Sequence, residues 1–513
     1  MIRYNRLNLA VHIFILLPTV IFLLGWLRPA VGIPLAALAV LAGWRSFVDA
    51  DGLEGSAVPD IYSKSGRMNA ASVVDTLRRW TGSEKVRFLI CVIFICIWVG
   101  FSGIGGFSFQ NGDHVARNTI FRALVEYRWP VVTADGSRML VYYMGYWLPS
   151  ALIGKVFGLT AGYAAQYVWT VVGITLLYLL ICRWRGKVSV WPVIVLMAFS
   201  GLDIVGTLIY HLPWGFLRSV EHLEWWALFQ QFSSMTTQLF WVFNQTVPAW
   251  IVVMFCLMQR KKKNLLFLHS NLVLTATLPF IGFIPVNAFL LLSGMDVKGE
   301  GFGRAFLHRL REIFSFENIV GVICIGIPCV LYVLGNLAGA SVGGAGASVS
   351  TEQYIWVTSE LGNYILFCVL EFAVFFPFLC RRAGRWPGLK IVVFAWLLVC
   401  PLIRIGTAYD FSMRASVPAL FILLIMIIDS LDAWGLSRRF ALLIPLIALL
   451  FLGAFTPLHE FHRSVRYTRD AYRAGEDPTA GEVGLEDGDR LLYQVNFSGE
   501  TEGNLFYQYL ARH

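Results

Sequence analysis

The sequence predicts an all-α polytopic membrane protein of about thirteen transmembrane helices, with an interfacial helix in the first large outer loop. Three observations carry that prediction. Of 513 residues, 57% are hydrophobic and only 14% charged, where a soluble domain carries about a quarter charged residues. The apolar residues fall into recurring runs of about 20, the length that crosses a hydrocarbon core of about 30 Å. One such run is compatible with a signal peptide; a dozen are not. The lysines and arginines stand in short clusters between the runs, the pattern of basic residues kept on the cytoplasmic side. The net charge of +9 is therefore spread along a membrane topology and implies no nucleic-acid partner. The nine cysteines lie in or beside apolar runs without metal-ligand spacing and read as small hydrophobes.

Arg3 and Arg6 before the run 9–27 place the N-terminus in the cytoplasm, and the run 29–47 returns the chain. The polar stretch 49–87, with Lys64, Arg67, Arg78, Arg79 and Lys85, is cytoplasmic, and residues 1–87 form an N-terminal unit of two spans and a loop. A third span over 88–106 leads to an outer loop at 107–160. The next apolar stretch, 139–157, cannot be a crossing if the following one, 161–182, is to deliver Arg183, Arg185 and Lys187 to the cytoplasm. A helix lying flat in the outer interface resolves this, with Tyr142, Tyr143, Tyr146 and Trp147 at headgroup depth and Lys155 snorkelling. The rival reading is a true span with a weak charge signal after it.

Spans near 188–210 and 238–258 end at Arg260 and Lys261–Lys263. The run 265–292 is too long for one helix and contains Pro279 and Pro285, which predicts a hairpin returning Lys298, Arg304, Arg309 and Arg311 to the inside. Spans near 318–334, 361–380, 391–405, 417–428 and 440–455 complete residues 261–455. The glycine-rich stretch 335–350 reads as an exposed linker. A polar tail over 456–513 lies outside, with a strand-like piece at 491–497. No internal repeat appears, which weakens a transporter built from duplicated halves.

Polar groups at membrane depth are costly and mark candidate function. Asp113, with His114, Arg117 and Asn118, opens the first outer loop. A carboxylate at the membrane surface suits a general base, while Asn-Gly-Asp is also a turn and cap sequence. The second outer region holds Asp203, His211, Arg218, Glu221, His222, Glu224, Trp225 and Trp226. Carboxylates and imidazoles beside indoles suit a sugar, or a divalent cation such as Mg or Mn; an interfacial amphipathic helix gives the same pattern. Arg404, Asp410 and Arg414 frame a short outer turn. Two arginines there can clamp a phosphate, or Asp410 and Arg414 can be a plain i,i+4 pair.

A span, an outer loop with an early acidic residue, an aromatic interfacial segment and a further span together resemble the GT-C glycosyltransferases. The stretch Tyr142-Tyr-Met-Gly-Tyr-Trp-Leu-Pro149 through Lys155-Val-Phe-Gly158 and Leu176–Leu180 carries the likeness, over about residues 88–260. The resemblance implies a catalytic Asp113 and a polyprenyl-phosphate-linked sugar donor. It also implies a glycan, lipid or protein acceptor and a bacterial inner membrane. The sequence departs from the family in having Asp113–His114 where an acidic pair is usual, and in two extra spans before the loop. A transporter or flippase of a lipid-linked saccharide, or a polysaccharide polymerase or ligase, are the other classes the pattern allows.

Overall fold

A computed structural model describes residues 6–49, 81–210, 222–227, 230–259, 261–295, 301–340, 361–379, 388–403, 410–436, 439–481 and 497–512. Arg218, Arg404, most of the 49–87 loop, the part of the expected linker beyond residue 340 and residues 491–496 of the expected strand lie outside them. The start of that linker is not a linker, because a helix continues through it to Ala340. The chain opens with α1 (Arg6–Trp26), α2 (Pro29–Asp49) and α3 (Gly82–Gly100). The next segment holds α4 (Asp113–Glu126), β1 (Arg138–Leu140), α5 (Leu148–Phe157) and α6 (Leu159–Arg185). Helices α7 (Trp191–Ala198), α8 (Asp203–Tyr210) and α9 (Met235–Leu257) follow. Beyond them run α10 (Leu265–Thr275), α11 (Thr277–Leu292), α12 (Phe302–Ile313), α13 (Phe316–Asn336) and α14 (Leu361–Glu371). The remainder is α15 (Leu389–Val399), α16 (Asp410–Ala415), α17 (Val417–Leu436), α18 (Phe440–Gly453), α19 (Phe455–Ala474) and β2 (Ser498–Glu500).

Nine helices among the described residues are long and apolar enough to cross a membrane. The protein is thus an all-α membrane protein, but nine is fewer than the thirteen crossings expected. The shortfall has visible causes. Helices α10 and α11 are short, and so is the apolar stretch Leu389–Leu402 that contains α15. Helix α3, which holds most of the span expected over 88–106, carries Glu84, Lys85 and Arg87 near its start and is not among the nine. The run 265–292 does break in two, but at Ala276 (φ −151, ψ 62) and not at its prolines. Pro279 sits in the first turn of α11, where a missing N–H leaves no bond unmade.

The core is organised around α9, which is buried almost from end to end and packs against α6, α11 and α17. It bends at Val242 (φ −140, ψ 35). The carbonyls freed by the bend find new donors: Thr246 Oγ1 donates to Gln238 O at 3.2 Å, and Asn111 Nδ2 to Phe240 O at 3.1 Å. The bend presents Phe243 to the 107–147 segment, where it meets His114, Tyr146 and Trp147.

The flat helix expected over 139–157 is only half helical. Residues 138–140 are strand β1, paired antiparallel with β2 so that Met139 faces Gly499. Only Leu148–Phe157 is α-helical, a rise of about 15 Å and half the thickness of a bilayer core, so this stretch does not cross. Val156 and Phe157 point outward, as an interfacial helix requires. Tyr146 and Trp147 do not form a headgroup belt: both are fully buried, because the bend of α9 gives them aromatic partners inside the protein.

The C-terminal segment is also more built than its polar composition suggests. Helix α19 follows directly on α18, and Ser464 Oγ donates to the carbonyl of Phe101. The backbone N–H of Phe109 donates to Thr468 Oγ1 at 2.8 Å, and that of Gln110 to Pro478 O at 3.1 Å. These bonds strap the tail across the entry to α4.

Candidate functional site

The first turn of α4 carries two of the expected residues in one interaction. Asp113 and Arg117 stand four apart, on the same helix face, and pair at 2.9 Å. Asp113 is about half exposed, whereas the Arg117 side chain is 7% exposed and lies over the Phe243 ring at 6.0 Å. Opposite, Asp410 and Arg414 at the start of α16 form a second i,i+4 pair at 3.0 Å, with Arg414 again the buried partner. Between the two pairs stand Tyr142 and Tyr143, their rings 3.7 Å apart and their hydroxyls hydrogen-bonded at 2.6 Å.

The six groups share one electrostatic environment. Burial opposes the charge on Arg414, but Tyr143, Asp410, Tyr142 and Asp113 outweigh it and raise its pKa. Burial and the neighbouring Tyr143 push Tyr142 well above its ordinary value, against the pull of Arg414 and Arg117, so its hydroxyl is a neutral donor. An exposed i,i+4 pair contributes only about 0.3–0.5 kcal/mol. A buried donor left without an acceptor costs about 1–3 kcal/mol. Arg117 Nη1 and Arg414 Nε are both buried without a hydrogen-bond partner. The second effect exceeds the first, so the two unmet arginine donors outweigh the ion pairs in the local energetics.

His114, although adjacent to Asp113, points the other way. It is buried against Phe243, and burial reinforced by Arg117 depresses its pKa to about 3, so it is neutral. Lys155 is committed to structure: it donates to the carbonyls of Val125 (3.2 Å) and Tyr127 at the end of α4 and rests 4.9 Å over Trp129. Arg218 and Arg404 are outside the described residues.

The second outer region folds into the protein. Asp203, Glu224 and Glu371 are each 1% exposed. Ser200 and Thr456 hydroxyls donate to Asp203 at 2.7 and 2.9 Å, and Trp226 Nε1 donates to Glu371 at 3.1 Å. The Ser234 N–H and the Gln231 amide donate to Glu224 at 2.8 and 2.7 Å. Asp203 Oδ1 and Glu371 Oε2 are both buried without a hydrogen-bond partner. Trp226 reaches this cluster because Gly206 leaves room: a Cβ there would sit 2.2 Å from the indole. His222 is neutral, since burial and Arg463 hold its pKa well below the usual value, and its ring lies tilted against the half-exposed Trp225 at 5.2 Å. Nearby Glu460 accepts from Trp241 Nε1 at 3.0 Å and pairs with Arg463 at 3.3 Å. Among the described residues no group of three or more histidine, cysteine or acidic side chains is placed to hold a metal ion.

Burial, with Asp203 close by, pushes Glu224 up to about 8. Between its unfolded value near 4.5 and this one, the folded state binds more protons than the unfolded, so stability falls as pH rises through that window. Thermal unfolding in detergent should show a midpoint that drops between about pH 5 and about pH 8.5, with Glu224→Gln flattening the drop. An equal slope in the variant rules out Glu224 as its source.

The sequence singles out Asp113, Arg117, Asp410 and Arg414, which the structure joins in two ion pairs, but assigns Tyr142 and Tyr143 to a membrane belt. It missed Phe243, Glu460 and Arg463. Glu460 and Arg463 stand three apart on a strongly amphipathic tail helix, a signal that was readable. The role of Phe243 depends on a bend with no glycine or proline at its centre and left no signal. Comparison with protein families, characterised proteins and solved structures finds no match to this chain.

Proposed function

We propose that the protein is a glycosyltransferase acting at the outer face of a bacterial inner membrane. It would transfer a sugar from a polyprenyl-phosphate donor to an envelope glycan, lipid or protein acceptor. The observation that carries this reading is the pocket of Asp113, Arg117, Tyr142, Tyr143, Asp410 and Arg414, with two buried arginine N–H groups lacking acceptors. The lipid-linked phosphate is the anion that fits, because arginine forks match phosphate oxygens.

In the proposed step the acceptor hydroxyl attacks the anomeric carbon and gives its proton to the Asp113 carboxylate. The bond from that carbon to the phosphate oxygen breaks with inversion, and its electron pair leaves on the phosphate. Arg117 and Arg414 oppose the charge that develops there, and the neutral Tyr142–Tyr143 hydroxyl pair supplies further donors. Asp113 releases Arg117 to the phosphate when the donor binds, an exchange made cheap by the small worth of a half-exposed pair. In this reading the bilayer is the source of the donor, and the N-terminus lies in the cytoplasm.

Binding of a polyprenyl phosphate to the purified protein, followed by native mass spectrometry, tests the site. Arg117→Gln and Arg414→Gln should each weaken binding about 10- to 100-fold, the worth of one charge-assisted hydrogen bond of about 1.5–3 kcal/mol. Unchanged affinity in both variants overturns the phosphate assignment. A second reading, a transporter or flippase of a lipid-linked saccharide, draws on one observation: the carboxyls of Asp203, Glu224 and Glu371 are buried beside or within spanning helices, the kind of group that marks proton relays.

A further inference from the structure

At the end of the bundle opposite the Asp113 pocket, α12 divides its surface three ways. Helix α13 fixes this polarity: its far end meets the β1–β2 ribbon beside the pocket, Gly335 packing on Asn504 and Gly499, while its near end adjoins α12. Phe302, Phe306 and Leu307, with Phe314 just past the helix end, lie on one arc and are exposed, Phe302 at 63% and Phe314 at 67%. Arg304, His308 and Arg311 form the exposed polar arc. Ala305 and Arg309 form the third side, buried against the protein. A helix with one arc for protein, one for hydrocarbon and one for water lies along an interface.

Arg309 adds a specific feature. Its side chain is 8% exposed and stands 3.5 Å from Glu312, yet Nε and Nη1 are buried and make no hydrogen bond. The end of α12 abuts a basic turn: Ser315 Oγ donates to the carbonyl of Lys263, and Asn318 Nδ2 to that of Lys262 at 3.0 Å. Lys261 on that turn is exposed. Cations on two sides, a guanidinium between them whose ion pair with Glu312 leaves two N–H groups without a hydrogen bond, and exposed phenylalanines alongside match one ligand chemistry. It is a phosphate carried on acyl chains.

We infer that α12 and the Lys261–Lys263 turn form a binding site for an anionic phospholipid, with Arg309 holding the headgroup phosphate and the phenylalanines lying among the acyl chains. Each arginine near an anionic surface contributes roughly fivefold to the partition. The site is independent of the catalytic reading above, since it shares no residue with it.

The test uses the whole chain in nanodiscs of phosphatidylcholine alone or with about one-third phosphatidylglycerol, with amide hydrogen exchange read over 302–314. Exchange should slow at least about tenfold in the anionic discs. Arg304→Gln with Arg311→Gln should remove most of that protection, and Arg309→Gln should reduce it about fivefold without changing exchange elsewhere. Equal exchange in both lipids overturns the site. Protection reproduced by inorganic phosphate in phosphatidylcholine discs overturns the lipid as ligand and leaves a soluble-anion site. If Arg309→Gln fails to fold, the double surface variant still decides, because Arg304 and Arg311 are exposed and carry no core packing.

Discussion

Asp113→Asn should lower sugar transfer by about 10²- to 10⁴-fold, the usual worth of a general base, while leaving polyprenyl-phosphate binding intact or tighter. The two halves of this expectation follow from one geometry. Asparagine has the shape of aspartate but cannot accept the acceptor's proton. It also faces Arg117 with a neutral amide oxygen in place of the carboxylate that pairs with it at 2.9 Å, so the guanidinium is held less tightly and turns more easily to the donor phosphate. Initial rates of transfer in membranes, set beside phosphate titrations of the same preparation, separate the possibilities. Full transfer by a folded Asp113→Asn protein removes Asp113 as the base. Loss of transfer together with loss of phosphate binding makes it a residue that positions Arg117.

The split between buried arginine and half-exposed acid recurs in both pairs of the pocket, Asp113–Arg117 and Asp410–Arg414. This part of the site was legible in sequence because i,i+4 spacing is local: a helix of any tertiary context puts those side chains on one face. What brings the two pairs together is not local. Asp113 lies on a loop helix and Arg414 near the last spans, and they meet because α16 packs on α11 and α11 on the central α9. No spacing in the chain encodes that.

The tyrosines show the same limit from another side. Tyr142, Tyr143, Tyr146 and Trp147 cluster in sequence as a headgroup belt would, and composition alone cannot separate a belt from a core. The difference lies in Phe243, offered by the bend of α9, and in the β1–β2 pairing that holds residues 138–140 extended. The carboxyls of the second region were legible as costly at membrane depth. Their gathering around Trp226 and Thr456 was not, because Glu371 arrives from α14, far along the chain, and Thr456 from α19. Apolar run length gave the fold class directly and the count poorly, since short helices such as α10 and α15 are apolar without the length that makes a crossing unambiguous.

Gly282→Ala is expected to be the most damaging of the conservative substitutions, and it links packing to the pocket. A Cβ at Gly282 would lie 1.9 Å from the carbonyl oxygen of Ala415 and 2.7 Å from its carbon. Both obstacles are backbone, so no rotamer change relieves them. Intrinsic helix propensity favours alanine over glycine by about 1 kcal/mol. Overpacking of this kind costs about 1–3 kcal/mol and forces the backbone to move, so the steric effect wins. The segment that must move is α16, pinned on its other side where Trp396 Nε1 donates to the same Ala415 carbonyl at 3.0 Å. Arg414 precedes Ala415 directly and travels with it. A displacement of about 1 Å at a reacting site costs about 10²-fold in rate, so Gly282→Ala should lose transfer activity far beyond its loss of thermal stability. Gly435→Ala, on α17 with nothing within 4 Å of the added carbon, should keep both. If Gly282→Ala retains activity and melting temperature like that control, α11 does not set the position of Arg414, and the pocket is held by α15 and α17 instead.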